Sequence, residues 1–141
     1  MEYLTLNNGV QMPLIGFGTF MLGGEACKNA VTVAIKNGYR MIDTAEAYGN
    51  EKEVGEGIKQ GGIDRKELFL VTKVNFKSYE NAEQTVMQSL SNLQTDYITC
   101  CSCTGRLPTI MGHGALLKSC MPKERLGQLV FPTLSQTSFL I

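Results

Sequence analysis

Gly38-Tyr-Arg-Met-Ile-Asp-Thr-Ala-Glu-Ala-Tyr-Gly-Asn-Glu-Lys-Glu-Val-Gly55 is the stretch on which the reading of the fold turns. Arg40–Asp43 has the apolar centre of a short buried strand, and Gly38 is a stop signal for the helical pattern before it. Glu51–Gln60 predicts a helix, with Val54 and Ile58 one turn apart and Gly61-Gly62 closing it. The loop between them carries Glu46 and Tyr48. Strand, polar loop and helix together make one unit of an α/β chain.

The same unit recurs on both sides. Upstream, Leu14-Ile-Gly-Phe-Gly18 reads as a buried strand ending in glycines, followed by a helix from about Glu25 to Asn37 through Ala30, Val33 and Ala34. Downstream, Leu68-Phe-Leu-Val-Thr-Lys73 is apolar enough to be a strand covered on both faces. Ser78 then caps a third helix to about Leu93 that buries Ala82, Val86, Leu90 and Leu93. Three units of roughly thirty residues predict a parallel sheet with right-handed crossovers. The pattern alone does not decide between an open and a closed sheet. Ahead of them, Tyr3–Leu6 and Val10–Leu14 flank Asn7-Asn8-Gly9, a hairpin turn, with Pro13 confining its strand to an edge.

The chain has 141 residues, enough for one domain with a modest core, and a formal charge of zero. Nothing in that balance points to nucleic acid or an anionic membrane surface. No opening segment resembles a leader and no apolar run is long enough to span a bilayer, so a cytoplasmic, reducing home without disulfides is expected. The two parts of the chain differ, however. Residues 1–98 carry a net charge of −3 and one of the five cysteines; residues 99–141 carry +3 and the other four.

Asp43, Tyr48 and Lys73 are the groups with chemical capacity. Each can be read structurally, as a buried ion pair and a packed aromatic. Placed together at the carboxyl ends of neighbouring parallel strands, they occupy the position where α/β folds build active sites. A free phenol titrates near 10. An ammonium beside a phenol favours the phenolate, and a carboxylate holds the ammonium. In that arrangement Tyr48 is the acid, Lys73 its tuner and Asp43 the anchor. Glu51 suits the first turn of its helix, where negative charge meets the dipole. Gly16-Phe-Gly18-Thr19 could admit a cofactor closely or simply make a turn; Met21 excludes the dinucleotide fingerprint Gly-x-Gly-x-x-Gly. Cys100, Cys101, Cys103, His113 and Cys120 lack the spacing of a structural zinc site, so no metal is expected.

At these residues the chain resembles the aldo-keto reductases. The family's signature is glycine-aromatic-arginine, two apolar positions, aspartate, then alanine and a glutamate six further on; Gly38–Gly55 meets it throughout. Met12-Pro-Leu-Ile-Gly-Phe-Gly-Thr19, Val71-Thr-Lys73 and Ser89-Leu-x-x-Leu-x-x-Asp-Tyr97 also match, so the resemblance covers residues 1–98. It implies a (β/α)₈ TIM barrel preceded by a hairpin, NADPH (NADP) as cofactor, and reduction of aldehydes and ketones to alcohols. It places catalysis on Asp43, Tyr48 and Lys73, with Tyr48 as proton donor, and cofactor contacts on Gly18, Thr19, Phe20 and Asp43. A small-molecule carbonyl compound is the implied partner; oligomeric state is not implied.

From Thr99 the resemblance stops. The family's fourth catalytic member, a histidine in a Leu-His-Trp-Pro run, is absent. If one base is lost after the codon for Ile98, the codons of Thr99–Arg106 permit Asp-Leu-Leu-Leu-Leu-His-Trp-Pro. Lys123–Leu134 permit Glu-Gly-Lys-Ile-Arg-Ala-Ile-Gly-Val-Ser-Asn-Phe, the family's fifth-strand run. That frame puts the missing histidine at Thr104 and the family's amide-binding serine and asparagine at Pro132 and Thr133. The expectation is a partial barrel over 1–98 and an out-of-frame, irregular and disordered tail over 99–141. Because a closed barrel takes about 250 residues, the chain is expected to be poorly stable, aggregation-prone and inactive. The alternative role is a non-catalytic barrel fragment acting through protein interaction.

Overall fold

A computed structural model describes residues 1–6 and 9–104. It opens on a two-stranded antiparallel ribbon, β1 (Tyr3–Thr5) and β2 (Gln11–Pro13), in which Leu4 pairs with Met12. Gly9, at φ 84°, takes the left-handed conformation that the turn needs.

Three strand–helix units follow: β3 (Phe17–Gly18) with α1 (Gly24–Lys36), β4 (Met41–Asp43) with α2 (Glu51–Gly61), and β5 (Phe69–Asn75) with α3 (Ala82–Asn92). A further strand, β6 (Cys100–Thr104), completes a four-stranded sheet in the order β3-β4-β5-β6, parallel at every pairing. Spatial order equals chain order. A doubly wound sheet reverses direction at a switch point, whereas a barrel adds each strand beside the last. The sequential order therefore settles the choice the pattern left open, in favour of the first part of a barrel.

Strand alternation explains the core. Ile42, Leu70, Val74 and Cys101 point to the helical layer and pack with Val31, Ile35, Val54, Ile58, Val86 and Leu90. Asp43, Val71 and Lys73 project to the opposite face and are half-buried, so β5 is not sealed on both sides among the described residues. Helices α1 and α2 touch closely. A Cβ on Gly57 would stand 2.7 Å from the Lys28 carbonyl oxygen, which is why glycine sits there.

Three expectations are adjusted. β3 is two residues long because Leu14 and Ile15 lie exposed before it. Ser78 does not cap α3. A 3₁₀ segment, Phe76–Asn81, precedes that helix, and Ser78 Oγ donates instead to Glu46 Oε1 at 2.7 Å, a carboxylate being the stronger acceptor. β6 lies inside the stretch expected to be irregular. Its residues pair with β5 from Val71↔Cys100 to Asn75↔Thr104, and Cys101 is buried as a small apolar side chain. His113, Cys120, Pro132 and Thr133 lie outside the described residues.

Candidate active site

The carboxyl ends of β3, β4 and β5 converge on Asp43, Tyr48 and Lys73. Asp43 is the last residue of β4 and Lys73 lies two residues from the end of β5. Both point away from the helical layer because strand alternation gives that layer to Ile42, Thr72 and Val74. Lys73 Nζ donates to Asp43 Oδ1 at 2.5 Å and to the Thr44 carbonyl at 3.0 Å. The ammonium also lies over the Tyr48 ring, 5.4 Å from its centroid, within the range of a cation–π contact. Tyr48 ends a 3₁₀ turn, Glu46–Tyr48, which Gly49 closes in the left-handed conformation. The three groups named from sequence are thus brought together.

The run Gly18, Thr19, Phe20 is divided in its exposure. Gly18 is exposed and Phe20 is 66% exposed, with its ring 5.0 Å from that of Tyr48. Thr19 is fully buried: its N–H and hydroxyl both donate to the Asp43 carbonyl, at 3.0 and 3.2 Å. It ties the loop after β3 to the end of β4. A ligand approaching this rim would meet Gly18 and Phe20 first.

Two acids brace the site from behind. Glu46 accepts from the Asn75 N–H at 2.9 Å and from Ser78, holding the chain as it leaves β5. Glu51 occupies the first turn of α2, as its position suggested, but it is buried and accepts from Thr72 Oγ1 at 2.7 Å. Asn50 was missed by sequence reasoning. An asparagine just before a helix reads as a cap, yet its side chain makes no cap and bonds three residues on two other segments.

Among the described residues no group of three or more histidine, cysteine or acidic side chains could hold a metal ion. No described helix is long and apolar enough to cross a membrane.

Comparison with known proteins agrees with this fold. The profile of the Aldo/keto reductase family matches residues 14–103. Morphine 6-dehydrogenase of Pseudomonas putida is 46% identical over 98 residues, which cover 67% of this chain and 33% of that protein. An NAD(P)H-dependent D-xylose reductase of Pachysolen tannophilus is 48% identical over 103 residues, 69% of this chain and 32% of that one. Among solved structures, an aldo-keto reductase enzyme from a Medee basin deep-sea metagenome library aligns with TM-score 0.80 and 35% identity, over 89% of this chain and 47% of its own. A Bombyx mori aldo-keto reductase solved in complex with NADP aligns with TM-score 0.64 and 35% identity, over 71% and 36%. The chain spans about one third of the length of the curated relatives it matches. A sequential parallel sheet, acid, phenol and amine at its carboxyl rim and this profile converge: the chain belongs to the aldo/keto reductase family.

Proposed function

We propose that the site serves NADPH-dependent reduction of aldehydes and ketones, with Tyr48 as proton donor, Lys73 as the cation that tunes it and Asp43 as the anchor of Lys73. The observation that carries this reading is Lys73 Nζ, held by Asp43 and the Thr44 carbonyl while it faces the Tyr48 ring. Nicotinamide, when bound, supplies a hydride to the carbonyl carbon. The residues of this chain supply the rim on which it would lie (Gly18 and Phe20, with Thr19 and Asp43 fixing the loop beneath) and the proton for the carbonyl oxygen. The relatives named for NAD(P)H and the neighbour bound to NADP support the cofactor. Small carbonyl compounds fit a rim with one ammonium and two aromatic rings.

In the form this sequence specifies, the reaction is not completed. Thr104 pairs with Asn75 where the family reading places a histidine, and a threonine hydroxyl supplies no imidazole at that position. The two family words recovered from one shifted frame support a lost base after codon 98. DNA spanning codons 98 and 99 decides that point: a relative encoding the same tail without an insertion or deletion rejects it.

For the chain itself, the expected result is that NADPH fluorescence changes on titration while D-xylose or another aldehyde brings no NADPH oxidation. Absence of NADPH binding would refute the cofactor role. Aldehyde-dependent oxidation by the purified chain, lost in Tyr48→Phe, would refute the inactivity. One observation favours a second role. β6 is an end strand of the sheet among the described residues, and an end strand can add a strand from another chain. A chain that binds no NADPH but captures a β-strand peptide would support that role in place of the first.

A further inference from the structure

We propose that Asn50 is a positioning residue that sets the separation between the cofactor rim and the proton donor; the proposal rests on the reductase reading above. Asn50 is 2% exposed and its carboxamide ties together two segments, the Thr19–Leu22 turn and Thr44. Nδ2 donates to the Thr19 and Leu22 carbonyls, both at 2.8 Å, and Oδ1 accepts from Thr44 Oγ1 at 3.0 Å. Only a primary amide offers two N–H donors and an acceptor from one planar group of this size. Aspartate would turn a carboxylate toward two carbonyl oxygens, and leucine would remove the acceptor of the Thr44 hydroxyl and a donor from each carbonyl.

The segments so joined are the two halves of the site. Thr19–Leu22 is a tight turn in which the Leu22 N–H donates to the Thr19 carbonyl at 3.1 Å. Within it Met21 stands 86% exposed at φ 62°, a conformation L-residues seldom adopt, so the turn has little intrinsic preference for its shape. Asn50 grips the carbonyls at both ends of that turn and thereby presents Phe20 to the Tyr48 ring. On its other side it holds Thr44, whose own carbonyl receives the Lys73 ammonium. One buried carboxamide therefore links Phe20, which faces the cofactor, to Lys73, which faces the phenol. Asn50 touches neither cofactor nor substrate on this geometry; it acts through Thr19, Leu22 and Thr44.

The test uses the full 141-residue chain and three readouts: ring-to-ring nuclear Overhauser contacts between Phe20 and Tyr48, NADPH affinity by fluorescence, and the urea midpoint. Asn50→Ala is expected to erase the Phe20–Tyr48 contacts under native conditions and to weaken NADPH binding about tenfold or more. Thr44→Val removes one of the three hydrogen bonds and is expected to weaken both partially, with Thr44→Ser restoring them. A purely structural role would lower the urea midpoint while leaving ring contacts and NADPH affinity intact in the folded protein, and that result overturns the proposal. If Asn50→Ala does not fold, the Thr44→Val and Thr44→Ser pair decides by the same readouts. If the unaltered chain binds no NADPH, the reductase reading fails, and the Phe20–Tyr48 contacts in each variant still decide the role of Asn50.

Discussion

Each end of the sheet holds a cation over a tyrosine ring, and the two are built differently. At the amino end, before β5 and β6, the Arg65 guanidinium lies 4.0 Å from the centre of the Tyr97 ring. Its nitrogens donate to the Thr95 hydroxyl at 3.0 Å and to the Leu68 and Tyr97 carbonyls, both at 2.8 Å; Tyr97 returns a bond from its hydroxyl to the Arg65 carbonyl. Burial holds the Arg65 guanidinium below its ordinary pKa, partly offset by Tyr97 and Asp96. At the carboxyl end Lys73 stands farther from its ring, with one carboxylate and one carbonyl, beside an Asp43 side chain that is 37% exposed. A planar fork held by two carbonyls and a hydroxyl makes a clamp. A point charge on a flexible stem, left partly open, leaves room for the proton chemistry proposed for it.

Paired substitutions can break that comparison. The largest expected effect is Arg65→Ala, which leaves two part-buried carbonyls without their donor and should cost about 2 kcal/mol by urea unfolding. Arg65→Lys should recover less than half, because an ammonium cannot fill the fork. The matching change at the other end, Lys73→Ala, should cost less than about 1 kcal/mol, since water screens and resolvates Asp43. Equal losses at both ends would erase the distinction drawn here.

A smaller contrast lies in the phenols. Tyr97→Phe removes the bond to the Arg65 carbonyl and should cost about 1 kcal/mol. Tyr48→Phe keeps the ring contacts with Phe20 and Lys73 and should change the unfolding free energy by less than about 0.5 kcal/mol. The same two variants sharpen the functional side: a stability loss at Tyr48 as large as that at Tyr97 would mean that its hydroxyl is structural.

The smallest effect is a background shared by both ends. Cys27 is fully buried in the helical layer, and burial, with Glu53 second, pushes its thiol above the ordinary 9.0. The unfolded thiol ionises while the folded one keeps its proton, so stability declines as pH rises through 9. Relative to Cys27→Ala, the native chain should lose up to about 0.4 kcal/mol by pH 9. A difference between the two that is flat with pH would show that the thiol ionises freely in place.

Much of this was legible before the structure. Val54 and Ile58, or Ala82, Val86 and Leu90, recur at helical spacing, and all five are buried. Asp43 and Lys73 could be placed because each falls at the end of an apolar strand, where chain geometry alone puts it on the rim. Ser78 misled because a hydroxyl before a helical pattern has two good partners, a backbone N–H nearby and a carboxylate 32 residues away. Sequence shows only the first. Asn50 was passed over for the same reason: its three partners come from residues 19, 22 and 44.

By itself the sequence determined what is local and periodic: the hairpin, the three strand–helix units, and the order in which carboxylate, phenol and amine occur along the chain. These follow from hydrophobic period and turn chemistry, which act over a few residues at a time. Only the tertiary structure decided that strands add side by side in chain order, that Cys100–Thr104 joins them, and that Lys73 turns toward Asp43, Thr44 and Tyr48 at once. Those outcomes depend on hydrogen bonds and packing between segments about 30 residues apart, whose geometry no local pattern encodes.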